Sequence, residues 1–128
     1  MTRQMIWMVL ARMDGKSPAD MDAARTWAVG NGISDGSNPT SSITREQMTA
    51  ILYRYAQYKS CDVSIGEETN ILSYDDALTI SEYAIPAIQW ACGADLMQGN
   101  NNSIMPTGSA TRAQVATILQ RFCQNVAK

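Results

Sequence analysis

Three threonine–arginine pairs are the residues of this sequence whose type and position suit chemistry. They are Thr2-Arg3, Thr44-Arg45 and Thr111-Arg112. Each pair stands at the predicted start of a helix, where free backbone amides attract anions and an arginine adds a forked donor for a carboxylate. Positive charge at the first position of a helix interacts unfavourably with the helix dipole. The arginines are therefore expected to have a role other than stabilising their helices. Their partner is expected to be either a bound carboxylate or an internal acid such as Asp35 or Asp76.

A simpler role accounts for the threonines. Thr44 and Thr111 are each followed three positions later by a glutamine, Gln47 and Gln114. This is the pattern of a capping box, in which the threonine hydroxyl accepts a hydrogen bond from the third amide and the glutamine reaches back to the cap. Each box is expected to contribute about 1 kcal/mol. Capping leaves the arginines unexplained, so ligand binding and structural pairing both stay open for them.

The three pairs open three copies of one helix. After Thr2, Thr44 and Thr111, apolar residues recur at offsets of four, seven, eight and eleven, which lie on one stripe of an α-helix. A second arginine recurs at offset ten, as Arg12, Arg54 and Arg121. These late arginines suit the helix dipole and are interpreted as structural. Two matching arginine columns beside the apolar stripe indicate an internal repeat.

Two further helices precede the second and third copies. Trp27-Ala28 and Trp90-Ala91 correspond in them, and each tryptophan either stacks on a sugar face or, as the apolar pattern favours, lies in the core. Gly36 and Gly99 follow these helices and are expected to supply backbone conformations that other residues avoid, or to let a ligand approach. The pattern predicts helices over residues 2–13, 19–31, 44–58, 81–94 and 111–125. Residues 61–71 are predicted to hold a brief extended piece.

Composition narrows the function. The chain has 128 residues, 45% hydrophobic and 17% charged, with a net charge of −2, so it has the size and character of a single globular domain without a general attraction to nucleic acid or anionic lipid. No apolar run is long enough for a membrane span and no signal peptide is present. Because Met1 stands directly before a helix start, we interpret the chain as a segment of a longer protein.

Catalysis is disfavoured by the residues present. Histidine is absent, which removes the commonest general base and a common zinc ligand. The acid pairs at positions 67–68 and 75–76 are interpreted as solvated rather than as a catalytic dyad or a calcium site, since neighbours in sequence rarely converge. Three cysteines without CxxC spacing favour unpaired thiols over a disulfide framework or a zinc site.

The ordered motifs of the last part of the chain resemble the repeat of the S-layer homology (SLH) domain. They are Tyr83-Ala84, Ala87-Ile88, Trp90-Ala91, Leu96, Gly99, Pro106 and Thr111-Arg112-Ala113-Gln114. Tyr74-Asp75-Asp76 resembles the motif that opens such a repeat, whereas Gln47, Gln114 and Met5 replace the family's glutamate. The resemblance divides a single domain, 1–128, into the closing helix of a partial first repeat (1–16), a second repeat (17–58), an insert (59–72) and a third repeat (73–128).

The resemblance implies a mostly α, pseudo-three-fold fold, with a central bundle of Thr-Arg helices, helical prongs and short extended pieces. It also implies a non-catalytic, extracellular anchoring module that binds an anionic, pyruvylated secondary polymer of the bacterial cell wall in grooves between prongs, with no cofactor or metal. The ligand-binding residues expected on this basis are Arg45, Arg112, Arg3, Thr44, Thr111, Asp35, Gly36, Gly99, Trp27 and Trp90.

Two other functions stay open beside anchoring. The first is a helical scaffold for protein–protein contact or self-association, since the missing prong helix of the first repeat leaves a surface through which a homo-oligomer could form. The second, less favoured, is a wall hydrolase that uses paired carboxylates. Spacings of 42 and 67 residues between the Thr-Arg pairs argue against a regular solenoid of tetratricopeptide type.

Overall fold

Most of the described residues are in helices. The computed structural model describes residues 1–69, 71, 77–97 and 104–126. Its α-helices are α1 (Arg3–Met13), α2 (Met21–Gly30), α3 (Arg45–Tyr58), α4 (Ile85–Gly93) and α5 (Arg112–Asn125). Short 3₁₀ helices cover Ser64–Glu68, Ala77–Thr79 and Glu82–Ala84. The mostly α fold predicted from the sequence is therefore confirmed, with 60% helix and no strand among the described residues.

The helix ends follow from local residues. Asp20 caps α2 by accepting a hydrogen bond from the Ala23 amide at 2.8 Å, so that helix begins two residues later than the apolar pattern predicted. α1 ends at Met13, and Gly15, two residues later, has a φ of +78°, the left-handed conformation expected of a glycine that follows a helix. Pro86 lies in the first turn of α4, where proline is tolerated because its missing N–H would have no helical partner.

The helices converge on an aromatic core. Trp7, Trp90 and Phe122, from α1, α4 and α5, are fully buried. Trp90 meets Phe122 edge to face with ring centroids 6.3 Å apart, and Tyr55 of α3 lies 6.0 Å from the same phenyl ring. α1 packs on α2, and α3 packs on α4. Burial of these large rings is the main apolar contribution that holds the helix starts in fixed relative positions.

A backbone contact recurs at the starts of α1 and α3. Each start receives a turn that contains a proline; residues 38–42 form the first proline turn and residues 105–109 the second. At α1, the Arg3 and Gln4 amides donate to carbonyls of the first turn at 3.1 and 3.0 Å. At α3, the Arg45 and Glu46 amides donate to carbonyls of the second turn at 2.9 and 3.0 Å. The sequence repeat therefore has a repeated backbone counterpart at these two positions.

The segment between α3 and α4 differs from its expected conformation. In place of a brief extended piece, it forms the 3₁₀ helix Ser64–Glu68. Asp62 accepts a hydrogen bond from the Ser64 amide at 2.9 Å and so starts the turn. A side chain at Gly66 would meet the Trp90 backbone nitrogen at 2.8 Å, so this turn packs directly on α4. The expectations for Tyr74-Asp75-Asp76 and for Gly99 lie outside the described residues.

Two further features bear on function. In the described part of the chain, no helix is long and apolar enough to cross a membrane. Cys61 and Cys92 are partly buried and Cys123 is exposed, and no disulfide joins any two of them.

Candidate functional site

The backbone amides at two of the predicted anion sites are already occupied. At the starts of α1 and α3, the first two amides donate to proline-turn carbonyls rather than facing solvent. The expectation that free amides bind an anion there is therefore wrong for these two helices, because the turns satisfy the amides that a helix leaves unpaired. These four amides are therefore not available to a bound anion.

Side chains from four elements line a cavity next to the start of α1, which we call the Arg3 groove. Its volume is about 310 Å³. The loop after α2 forms one wall, α3 forms another, and the short 3₁₀ helix before α4 contributes a tyrosine. The lining residues are Arg3, Ser34, Asp35, Ser37, Asn38, Gln47, Ala50, Ile51, Arg54 and Tyr83.

Arg3 is the most enclosed charge in the groove. Its residue is 9% exposed, and its guanidinium lies over the Trp7 ring, 5.9 Å from the centroid. Its Nε donates to the Ser37 carbonyl at 2.9 Å, and one Nη donates to Asp35 at 3.3 Å. The sequence was compatible with either a ligand or an internal acid as the partner of Arg3. In the structure the partner is the internal acid Asp35.

Asp35 links the arginine to the loop. Its Oδ1 accepts hydrogen bonds from the Ser37 amide at 2.9 Å and from the Ser37 hydroxyl at 2.7 Å, besides the one from Arg3. These Ser37 hydrogen bonds, and next the charge of Arg3, lower the pKa of Asp35 below its ordinary value of 3.8 despite partial burial. Oδ2 has no hydrogen bond within the described residues, and the side chain is 70% exposed. The carboxylate therefore keeps one oxygen for a ligand hydroxyl.

Two groove residues were not among the predicted site residues. Arg54, interpreted as structural, is exposed and lines the groove together with Asp35, and it has no ion pair among the described residues. Tyr83 is 53% exposed, and burial together with the Glu46 charge raises the pKa of its phenol, so it stays a neutral donor. The sequence did carry a signal for each. Arg54 belongs to the second arginine column and Tyr83 to the aromatic–alanine pair.

The described residues that line the groove carry a net positive charge. The charged ones are the arginines Arg3 and Arg54 and the acid Asp35. Since Arg3 is already paired with Asp35, the cation available to a ligand is Arg54. Serine, asparagine and tyrosine groups surround it. A carboxylate flanked by hydroxyl groups matches this combination of neutral polar groups and a cation that has no ion pair in the described part of the chain.

The corresponding arginine at the start of α3 has different neighbours. Arg45 is half-buried, and its Nη1 lies 4.0 Å from the Met105 sulfur, with no acid within ion-pair distance among the described residues. Arg112, at the start of α5, is exposed and lines none of the cavities described here. The structure thus brings Arg3 and Asp35 together and leaves the other two arginines of the column apart from them.

The threonines Thr44 and Thr111 cap helices, and the tryptophans Trp27 and Trp90 pack against other aromatic rings. Thr44 accepts from the Gln47 amide at 3.2 Å while the Gln47 side chain accepts from the Thr44 amide at 3.0 Å, and Thr111 forms the same box. The capping boxes predicted from the sequence are confirmed. Trp90 is fully buried, and Trp27 packs edge to face on Tyr58 at 6.1 Å. Neither tryptophan lines the Arg3 groove.

A cavity larger than the Arg3 groove has charges that do not suit an anion. It has a volume of about 700 Å³ and lies between the Ser64–Glu68 helix and the ends of α4 and α5. Its charged lining residues are Asp62 and Glu67. No cluster of three or more potential metal ligands occurs in the part of the chain that the structure describes.

Fold and groove together define a helical module with a small cationic site. Residues 73–116 match the family model for the S-layer homology domain, so this part of the chain is similar to that domain. That domain is a non-catalytic anchoring domain. No solved structure matches the chain.

Three curated relatives bear the names of carbohydrate-active enzymes. The chain is 36% identical over 90 residues to an endoglucanase of Bacillus sp. (strain KSM-635) and 39% identical over 92 residues to an amylopullulanase of Thermoanaerobacterium thermosulfurigenes. It is 35% identical over 88 residues to exoglucanase XynX of Acetivibrio thermocellus. The matches cover 70%, 66% and 66% of this chain but only 9%, 5% and 8% of the relatives. The shared region is therefore a small part of each enzyme.

Proposed function

We propose that this chain is a non-catalytic module that anchors a larger extracellular protein to the bacterial cell wall by binding an anionic wall polysaccharide. The observation that carries the proposal is the Arg3 groove, in which Arg54 has no ion pair among the described residues and is surrounded by neutral hydrogen-bonding groups. The S-layer homology match over residues 73–116 supports the anchoring role. The presence of the same region as a minor part of three larger enzymes supports it further.

The ligand we propose is a sugar that carries a carboxylate, such as a pyruvyl ketal. Arg54 binds the carboxylate, because Arg3 is already neutralised by Asp35. The Oδ2 of Asp35 accepts a hydrogen bond from one sugar hydroxyl. The phenol of Tyr83 donates a hydrogen bond to another. In this arrangement Arg3 is a positioning residue, since it holds Asp35 and the Ser37 carbonyl in place.

We also propose the division into a closing helix (1–16), a second repeat (17–58), an insert (59–72) and a third repeat (73–128). The backbone contacts at Arg3 and Arg45, which recur on the two proline turns, support it. The ligand roles predicted for Arg45, Arg112 and Gly99 stay predictions. The groove supports a different assignment, with Arg54 and Tyr83 as the contacting residues.

Co-sedimentation with purified bacterial wall sacculi tests the proposal. Wild type is expected to sediment with intact sacculi and to stay in solution when acid has stripped the secondary polymer. Arg54→Glu reverses the available cation and is expected to abolish sedimentation with intact sacculi, because it places two carboxylates against each other. Arg12→Glu is the matched control, since Arg12 is an exposed member of the same arginine column and lines none of the cavities described here.

Two results would contradict the proposal. Sedimentation of wild type that survives removal of the polymer would show that another wall component is bound. Equal loss in Arg54→Glu and Arg12→Glu would show a general charge effect rather than a groove. Circular dichroism of each variant establishes that it is folded before the comparison is made.

Self-association through an exposed face of α5 is a second proposal. On this face of α5, Ala116 and Thr117 are exposed and correspond to Trp7 and Met8 of α1, which are buried. An alanine and a threonine offer little apolar area, so we expect association through this face to be weak. Light scattering at increasing concentration measures it. A stable dimer at low micromolar concentration would favour the scaffold function instead.

A further inference from the structure

A second cavity adjoins the Arg3 groove and shares one residue with it. This cavity, which we call the Arg25 cavity, has a volume of about 580 Å³ and lies on the outer side of α2. Its lining residues are Asp22, Arg25, Thr26, Val29, Gly30 and Asp35. Asp35 lines both cavities, so the two are neighbours across the loop that follows α2.

The loop between the two cavities is packed tightly on α2. Gly36 has a φ of +76°, and a Cβ at this position would lie 2.7 Å from Val29 Cγ2 and 3.1 Å from the Arg25 Nε. Only a residue without a side chain allows this approach. The close contact fixes Arg25 and Val29 relative to the loop, and through the loop relative to the Arg3 groove.

The Arg25 cavity has the chemistry of a sugar subsite. Arg25 is exposed and forms no ion pair among the described residues, although Asp22 and Asp35 line the same cavity. Beside it, Val29 presents apolar surface with 47% of the residue exposed. A charged, planar donor next to an apolar face suits a pyranose ring, which offers hydroxyl groups at its rim and C–H groups on its face.

We infer that the Arg25 cavity is a second subsite, which binds the sugar unit next to the one held in the Arg3 groove. The inference rests on the proposed function, and it makes the ligand a polysaccharide chain that is read over at least two consecutive units. Asp35 lines both cavities, and in this arrangement its carboxylate accepts a hydrogen bond from a hydroxyl of either unit. Binding therefore strengthens with ligand length, as it does when a second contact becomes intramolecular.

Calorimetry with two ligands tests this inference on the 128-residue chain. One ligand is the methyl glycoside of a single pyruvylated hexose, and the other is a pyruvylated oligosaccharide of several units released from the wall polymer. Wild type is expected to bind the oligosaccharide about tenfold more tightly than the single sugar. Arg25→Ala is expected to remove that gain and to leave affinity for the single sugar within about twofold of wild type. Arg12→Ala, with the same change of charge, is expected to bind both ligands as wild type does.

Each remaining outcome overturns the inference. If wild type binds both ligands equally, or if Arg25→Ala keeps the gain with length, the Arg25 cavity is not a subsite and the Arg3 groove binds alone. If Arg25→Ala weakens both ligands equally, Arg25 supports the groove through the Gly36 loop and does not contact a second unit. If wild type binds neither ligand, the proposed function fails and the inference fails with it.

Discussion

The start of α1 with its proline turn, the Arg3 corner, can be compared with the start of α3 and its turn, the Arg45 corner, 42 residues later. The Arg3 guanidinium lies against Asp35 and Ser37. The Arg45 guanidinium lies against the sulfur of Met105. The backbones of the two corners correspond closely. Each receives a proline turn on its first two amides. Asn38 and Met105 occupy equivalent turn positions and have φ values of +49° and +58°.

This difference shows which features the two copies of the repeat share and which features differ between them. The shared part is the capping of a helix start by backbone carbonyls, which depends on chain path and not on side chains. The variable part is the set of side chains that surround the arginine. Among the described residues, the Arg3 corner offers polar, partly acidic groups that suit a sugar, whereas the side-chain contact of the Arg45 guanidinium is with a thioether. In this part of the chain, matching arginines therefore have different neighbours.

Charge reversal at the two corners is expected to give the largest contrast. Arg3→Glu removes the group that positions Asp35 and should weaken binding to wall polysaccharide at least about 100-fold, or about 2.7 kcal/mol. Arg45→Glu is expected to change binding less than about threefold, because Arg45 lies outside the groove. Binding isotherms on purified polymer measure both.

Urea unfolding of both variants completes that comparison. Arg3 is 9% exposed, so its replacement also destabilises the fold, and the binding assay applies only where the variant is folded. A folded Arg3→Glu variant that binds normally, or an Arg45→Glu variant that loses binding, would reverse the assignment of the two corners.

The residue after each arginine gives the next contrast. Glu46 is 5% exposed, and its carboxylate accepts from the Ser81 amide at 2.9 Å and the Ser81 hydroxyl at 2.6 Å. Glu46→Ala leaves the amide without this acceptor and is expected to lower the free energy of unfolding by about 2 kcal/mol. Gln4, at the same position of the first corner, has no comparable hydrogen bond among the described residues, so Gln4→Ala should stay within about 0.5 kcal/mol. Similar losses in both variants, measured in urea, would contradict the contrast.

The two cap threonines differ by a smaller amount. Thr44 forms a complete capping box, whereas the Thr2 hydroxyl is buried and has no hydrogen-bond partner in the described structure. Thr44→Ala is therefore expected to cost about 1 kcal/mol and Thr2→Ala close to zero. Thermal unfolding followed by circular dichroism compares them. A cost at Thr2 equal to that at Thr44 would show that the capping bond is not what matters.

The smallest effect concerns acid. The folded-state pKa of Asp35 lies below its ordinary value of 3.8, so its stabilising contribution is complete above that value and is lost as the pH falls through the folded pKa. Wild type is expected to be more stable than Asp35→Asn at pH 7, and the difference should shrink below about pH 3.8. The effect is small because the side chain is 70% exposed and solvent screens it. Urea titrations across pH measure the difference, and a gap that widens in acid would contradict the assigned partners.

Much of the fold was predictable because it depends on local patterns. The helix stripe after each Thr-Arg pair predicted α1, α3 and α5 to within a residue at each end, since apolar spacing and cap residues act over a few positions. The capping boxes at Thr44 and Thr111 follow from four residues each. The insert was the exception. A short apolar alternation indicated an extended piece, but the Asp62 turn and packing against Trp90 produced a 3₁₀ helix instead.

The candidate site was less predictable because its residues are distant in sequence. The sequence by itself determined the repeat, the helices and caps, and the arginine columns. Tertiary structure alone decided that Arg3 pairs with Asp35, that Arg54 and Tyr83 face the same groove, and that proline turns occupy the amides expected to bind an anion. The reason is physical. Hydrogen bonds within one turn are fixed by neighbouring residues, whereas the groove exists only where packing of the aromatic core brings the loop after α2, the face of α3 and the entry to α4 together.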